Sequence, residues 1–199
     1  MRARLAIESS GTQLELREIL LKDKPIQMTS VSEKATVPVL VLADGEVIDE
    51  SLAIMYWALQ QHDPDNLLAA KDEVEISQLI EMNDVQFKPL LDKYKYAVRF
   101  LEKSQHEYRK EGEFFLQELE SRLIKSSFLL GRQLSLADIA IFPFIRQFAA
   151  VNRGWFDNCE FDYLKKWLED RVESAEFDRI MIKYKPWVEG ETYLEFSSK

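Results

Sequence analysis

The sequence predicts an α/β unit at the N-terminus followed by an all-α unit. Residues 1 to 62 carry short periodic segments broken by turns, whereas residues 72 to 183 carry long stretches of helical period. The texture changes across HDPDNLLAA at positions 62 to 70, where Pro64 has no N–H to continue a helix. The expected organisation is therefore a first unit over 1 to 62, a linker over 63 to 71 and a helical unit over 72 to 199.

Met1 to Ser10 predicts a helix with Ala3, Ala6 and Ile7 on one side and Gly11 as its left-handed stop. A strand is expected over Leu14 to Leu21, which alternates and then turns apolar, and a polar stretch from Lys22 to Thr36 leads to a buried strand over Val37 to Leu42. Asp44-Gly45 is a two-residue hairpin signal that returns the chain into Val47-Ile48. Asp49-Glu50-Ser51 then opens a helix whose Leu52, Met55, Tyr56 and Leu59 share one face.

In the second unit, Ile76, Leu79, Ile80, Asn83, Phe87, Leu90, Leu91, Tyr94, Val98 and Leu101 form a helical stripe over Val74 to Leu101, which Pro89 should kink. Another helix is expected over Glu107 to Lys125. A third starts at Ser135, where Ser135 and Asp138 form a capping box flanked by Leu134 and Ile139 as a hydrophobic staple. Segments Phe161 to Val172 and Ala175 to Tyr184 complete the helices before an aromatic tail at Trp187, Tyr193 and Phe196.

Composition narrows the function classes. With 46% hydrophobic residues and only 6 Gly and 6 Pro among 199, the chain can build a folded core. Its 26 Lys and Arg against 35 Asp and Glu give a charge of -9, which opposes binding to nucleic acid and to anionic membranes, so neither is an expected partner. MRARLAI lacks the apolar length of a signal peptide, and Leu134 to Val151 is broken by Asp138 and Arg146, so it reads as a core helix. Cys159 is the only cysteine, which leaves no internal disulfide or Cys-based zinc site and points to a reducing cytoplasm. His62 and His106 stand apart from acidic partners at ligand spacing, so no metal site is expected.

The helix at Met1 to Ser10, Lys22-Asp23-Lys24-Pro25, Val37-Pro38-Val39-Leu40 and Asp49-Glu50-Ser51, followed by LSLADIAIFPF at 134 to 144, together resemble the glutathione transferases. The resemblance runs over nearly the whole chain and is strongest to omega-like and related bacterial members. It implies a thioredoxin-like first domain and a helical second one. It further implies a cis Val37-Pro38 bond, with the Val37 backbone bonded to the cysteinyl part of glutathione. Glu50 and Ser51 match the pair that binds the γ-glutamyl end, and a helix N-terminus does favour a carboxylate there. An ordinary helix cap would use the same residue types. Lys24 matches a lysine near the glycyl carboxylate, and a solvated loop lysine fits the position equally. Lys93, Tyr94, Lys95, Tyr96 and Arg99 either line the cleft for a second substrate or divide into a core Tyr94 and solvent-facing neighbours. Ser135 and Asp138 are fold determinants, and Cys159 lies away from any thiol position of the family.

In the family, a strand precedes the helix that here begins at residue 1, and the turn between them carries the Cys, Ser or Tyr that activates glutathione. The resemblance thus leads us to expect roughly ten to fifteen residues upstream of Met1, one strand plus a turn. Without them, no catalytic residue is assigned within this sequence, and the thioredoxin-like domain is incomplete at its N-terminus. The expected activity uses glutathione as co-substrate, with no metal, for conjugation to a small electrophile or for thiol transfer with a disulfide. The other readings are a non-catalytic scaffold or stress-response binding protein of the same fold, and a helical adaptor without ligand. A homodimer is implied by the resemblance; the second substrate is not.

Overall fold

The structure, a computed structural model, describes residues 1–69, 72–191 and 194–196. It divides into two units, Met1–Pro64 together with Ala175–Lys199, and Asp65–Ser174. The sequence predicts a helical unit over 72 to 199. The structure instead returns the chain to the first unit after Ser174.

The first unit begins with α1 (Arg2–Ser10), closed by Gly11 at φ 68°, whose N–H donates to the Glu8 carbonyl at 3.2 Å. Only a residue without Cβ adopts this left-handed stop at no steric cost. β1 (Leu14–Leu16) is shorter than the expected strand, and α2 (Ile26–Thr29) supplies one turn within the polar stretch. β2 (Leu40–Val41) pairs antiparallel with β3 (Val47–Ile48), while Val37 to Val39 lie outside this ladder. The connection differs from a two-residue hairpin. The Leu42 N–H donates to the Glu46 carbonyl at 2.8 Å and the Gly45 N–H to the Leu42 carbonyl at 3.0 Å, leaving a loop over 43–45 with Gly45 at φ 92°. α3 (Ser51–Gln61) then buries Ile54, Met55, Ala58 and Leu59.

The helical unit opens with α4 (Glu73–Glu81), capped by Asp72, whose carboxylate accepts the Val74 N–H at 2.8 Å. The expected long helix is interrupted in two places. A π-helical stretch, Met82–Phe87, precedes α5 (Lys88–Lys95), and the last residues tighten into a 3-10 turn at Ala97–Arg99. Pro89 carries no N–H and its ring crowds the preceding turn, and the wider π turn falls in the residues just ahead of it. α6 (Gln105–Leu123) starts at a capping box of Ser104 and Glu107 that the sequence reading missed. α7 (Leu136–Val151) begins at the expected Ser135 box, and the short α8 (Arg153–Asp157) is started by Asn152, which accepts the Trp155 N–H at 2.9 Å. α9 (Asp162–Val172) is capped from another helix: buried Glu120 accepts the Tyr163 N–H at 3.2 Å and the Leu164 N–H at 2.7 Å.

Two clusters hold this unit together. Phe87, Phe115, Tyr94 and Phe148 stack with centroids 4.8 to 5.4 Å apart, next to Gly112, where a Cβ would stand 2.7 Å from the Phe148 ring. The second cluster centres on Asp138, which is fully buried. Its Oδ1 accepts the Leu129 N–H and the Trp167 Nε1–H, both at 3.0 Å, and its Oδ2 accepts the Ser135 N–H at 3.0 Å and the Ser135 hydroxyl at 2.6 Å. Burial pushes this carboxyl above its ordinary value, against the pull of those four donors.

Back in the first unit, α10 (Ala175–Ile180) packs on α1 and explains why α1 is buried on its polar side as well. Arg179 pairs with buried Glu8, and the Ser9 hydroxyl donates to Glu176 at 2.6 Å. β4 (Leu194–Phe196) pairs antiparallel with β1, Leu14 opposite Phe196, so the C-terminal segment covers an edge that would otherwise expose unpaired backbone. Among the described residues the strands form two two-stranded ribbons, β1–β4 and β2–β3. Trp187 and Phe196 of the aromatic tail belong to this unit, and Tyr193 lies outside the described residues.

Candidate functional site

The local chain geometry begins at Val37-Pro38, whose peptide bond is cis as the resemblance implies. These residues stay out of the β2–β3 ladder and, with Leu40 and Val41 of β2, border a cavity of about 1070 Å³ in the first unit. Leu14 and Leu16 of β1 and Trp187 and Phe196 of the C-terminal segment also line it. The volume lies just above the range for small-molecule sites, ~300–1,000 Å³.

Glu50 is the N-cap residue of α3 but its side chain makes no capping bond. The first N–H to be used within the helix is that of Ile54, donating to the Glu50 carbonyl at 3.0 Å, so the amides of Ser51, Leu52 and Ala53 have no intrahelical acceptor. That is the ordinary condition under which a helix start attracts an anion. Glu50 and Ser51 are not part of the cavity lining. Lys24 is exposed in the irregular segment before α2 and, among the described residues, no hydrogen bond or ion pair holds it; its neighbour Pro25 does line the cavity.

A residue the sequence reading passed over engages this helix start. Lys34 Nζ lies 2.6 Å from Glu50 Oε1 and 3.0 Å from Asp49 Oδ1, while the hydroxyl of buried Ser32 donates to Asp49 Oδ2 at 3.0 Å. The hydrogen bond to Glu50, then that to Asp49, raises the Lys34 ammonium above its ordinary value, and the Lys34 and Ser32 bonds hold the Asp49 carboxyl below its own. The pair spans 15 or 16 positions in an irregular segment, and no periodicity announces it.

The remaining candidates sort cleanly within the helical unit. Tyr94 is core, 2% exposed, whereas Tyr96 faces outward between Lys95 and Arg99, whose charged ends lie 5.0 and 4.8 Å from its ring. Lys93 lies over the Tyr108 ring at 5.8 Å. The Cys159 thiol donates to the Phe156 carbonyl at 3.0 Å, and burial pushes it up, so it is held as a thiol and not as a nucleophilic thiolate. In the first unit, His62 Nδ1 sits 2.8 Å from the Ser10 carbonyl, a structural contact. Among the described residues, no helix is long and apolar enough to cross a membrane.

Comparison with known proteins adds to this geometry. Residues 1–66 match the sequence model of the glutathione S-transferase N-terminal domain and residues 106–170 that of the glutathione S-transferase C-terminal domain. A comparison with curated protein sequences finds no match. Among solved structures, the chain is similar to BphK, a bacterial GST seen in a ternary complex, at 20% identity and TM-score 0.76, covering 90% of this chain and 92% of that one. It is also similar to glutathione transferase URE2P6 from Phanerochaete chrysosporium in complex with oxidized glutathione, at 19% identity and TM-score 0.75, covering 90% and 88%. A third is glutathione S-transferase-I bound with lactoylglutathione, at 21% identity and TM-score 0.73, covering 90% and 91%.

Proposed function

Because the chain belongs to the glutathione transferase family, we propose that its first unit binds glutathione, with the Val37 backbone meeting the cysteinyl part and the start of α3 receiving the γ-glutamyl end. The observation that carries this reading is the cavity of about 1070 Å³, large enough for a tripeptide, whose wall includes Val37 and Pro38 just outside the β2–β3 ladder. Ser51 and the amides after it offer donors to the ligand's α-carboxylate, and Glu50 offers an acceptor to its ammonium. Lys24 supplies a cation for the glycyl carboxylate. Pro38 fixes the turn that presents Val37.

Bound glutathione would then serve as co-substrate, its sulfur attacking a small electrophile or exchanging with a disulfide. Cys159 takes no part in this, being a half-buried thiol of the helical unit that donates to the Phe156 carbonyl. We take the working form to be a homodimer, as is common in the family, which sedimentation would read directly.

The test is calorimetric titration of glutathione into the wild type and into Glu50→Ala/Ser51→Ala. Loss of a charge-assisted bond and of a helix-start contact should weaken binding by about tenfold or more. Thermal stability should stay near that of the wild type, because Glu50 is exposed and makes no side-chain cap. Equal affinity in the two proteins would remove α3 from the site.

A further inference from the structure

We infer that Lys34 is a specificity-determining residue at the start of α3, seating its own ammonium on Glu50 where a ligand ammonium would otherwise sit. The inference rests on the proposed glutathione site and concerns which end groups that site accepts.

The geometry is built rather than incidental. Ala35 holds φ 49°, a left-handed conformation that costs a residue with Cβ, and its N–H donates to the Ser32 carbonyl at 3.1 Å. This tight turn sends Lys34 back toward α3. Ser32, buried beneath the turn, fixes Asp49 through its hydroxyl at 3.0 Å, and Asp49 in turn offers its other oxygen to Lys34. With Nζ 3.0 Å from Asp49 and 2.6 Å from Glu50, the ammonium bridges both carboxylates.

A free γ-glutamyl end carries an ammonium and a carboxylate on one carbon. Its carboxylate finds the unpaired amides of the first turn of α3, but its ammonium meets a Glu50 whose Oε1 already holds Lys34, and it must share or displace that cation. Lys34 is half exposed, at 51%, so it is displaceable by a ligand, and displacement costs what an exposed ion pair contributes. Lys34 thus lowers the advantage of an α-amino acid end over a plain carboxylate end, and so widens the set of acyl-cysteinylglycine ligands and conjugates that the site admits.

The experiment compares glutathione with glutaryl-cysteinyl-glycine, which lacks only the α-amino group, by calorimetry at low salt in wild type, Lys34→Met and Lys34→Arg. The ratio of the two dissociation constants should move toward glutathione by about 1.5- to 5-fold in Lys34→Met, the equivalent of one exposed ion pair, and return to the wild-type ratio in Lys34→Arg. High salt should shrink the difference. A ratio that stays fixed or moves the other way in Lys34→Met, while the wild type binds glutathione, overturns the role of Lys34 alone. Wild-type protein that binds neither ligand overturns the glutathione site, and this inference with it.

Discussion

Replacing Asp138 with asparagine keeps the shape of the side chain and removes one of its two acceptor oxygens. The oxygens divide the work: one takes the Leu129 and Trp167 donors, the other takes both donors of Ser135. Whichever way the new amide turns, its NH2 group faces two donors. On the Ser135 side the hydroxyl can rotate to accept, but the Ser135 N–H cannot, and it stays buried without a partner. One orphaned buried N–H costs about 1–3 kcal/mol, and weakening the charge-assisted bonds adds about 1, so the loss should be about 2–4 kcal/mol. Followed by urea unfolding, at a slope of about 2 kcal/mol/M, this is a midpoint drop of about 1–2 M with the slope unchanged. Trp167→Phe provides the graded control. It deletes one donor while keeping a ring against Phe142, whose centroid is 6.3 Å away, and should cost about 1 kcal/mol. An Asp138→Asn midpoint within about 0.3 M of wild type would refute the view that these four bonds close the start of α7 and tie it to Leu129 and Trp167.

Gly112→Ala places a Cβ 2.7 Å from the Phe148 ring, in a cluster with no room to yield, and should cost about 1–3 kcal/mol in the same unfolding assay; a neutral effect would show the rings to be mobile. The Asp49 carboxyl, held down by Lys34 and Ser32, should titrate by NMR below its ordinary 3.8. Its folded value being lowered, the stability it contributes is present above 3.8 and fades as pH falls through the lowered value, and Lys34→Met should move the midpoint back up; a wild-type midpoint at or above 3.8 contradicts this. Cys159, raised above its ordinary 9.0 by burial, should react with iodoacetamide at pH 7.5 more slowly than free cysteine and accelerate only in more alkaline solution. Faster reaction than free cysteine would mean that a thiolate is stabilised there after all.

What the sequence made legible was local. Gly11 as a left-handed stop, a chain reversal at Asp44-Gly45 and the Ser135–Asp138 box each depend on residues within a few positions of one another; the stop and the box are present, and the reversal is made by a loop over 43–45 in place of two residues. The cis bond at Val37-Pro38 was legible through the resemblance alone, since nothing in the residue pair demands it. The interruption around Pro89 was anticipated as a kink, but a π turn and a kink place the same apolar stripe almost identically, so periodicity could not separate them. β4 has three residues and its partner lies at the far end of the chain, so its existence is a matter of an available edge and not of its own propensity. The burial of Glu8 and Ser9 on α1 was hidden for the same reason: their partners, Arg179 and Glu176, sit on α10. At the candidate site, Val37, Pro38, Glu50, Ser51 and Lys24 came from motif order. Lys34 did not, because its contact is made by a left-handed turn at an alanine, a conformation for which alanine gives no cue.

The return of the chain at Ala175 has a consequence for the order of synthesis. Residues 65 to 174 form the helical unit without interruption, so every contact of that unit is available once Ser174 has left the ribosome. The first unit, though it is begun first, must wait for α10 and β4. During that interval α1 carries Glu8 and Ser9 without their partners and β1 has an open edge, the kind of surface on which nascent chains associate and chaperones act. Here the unit that starts first is the last to be finished, and a nascent chain exposed as far as Ser174 would carry a completed helical unit behind an unfinished one.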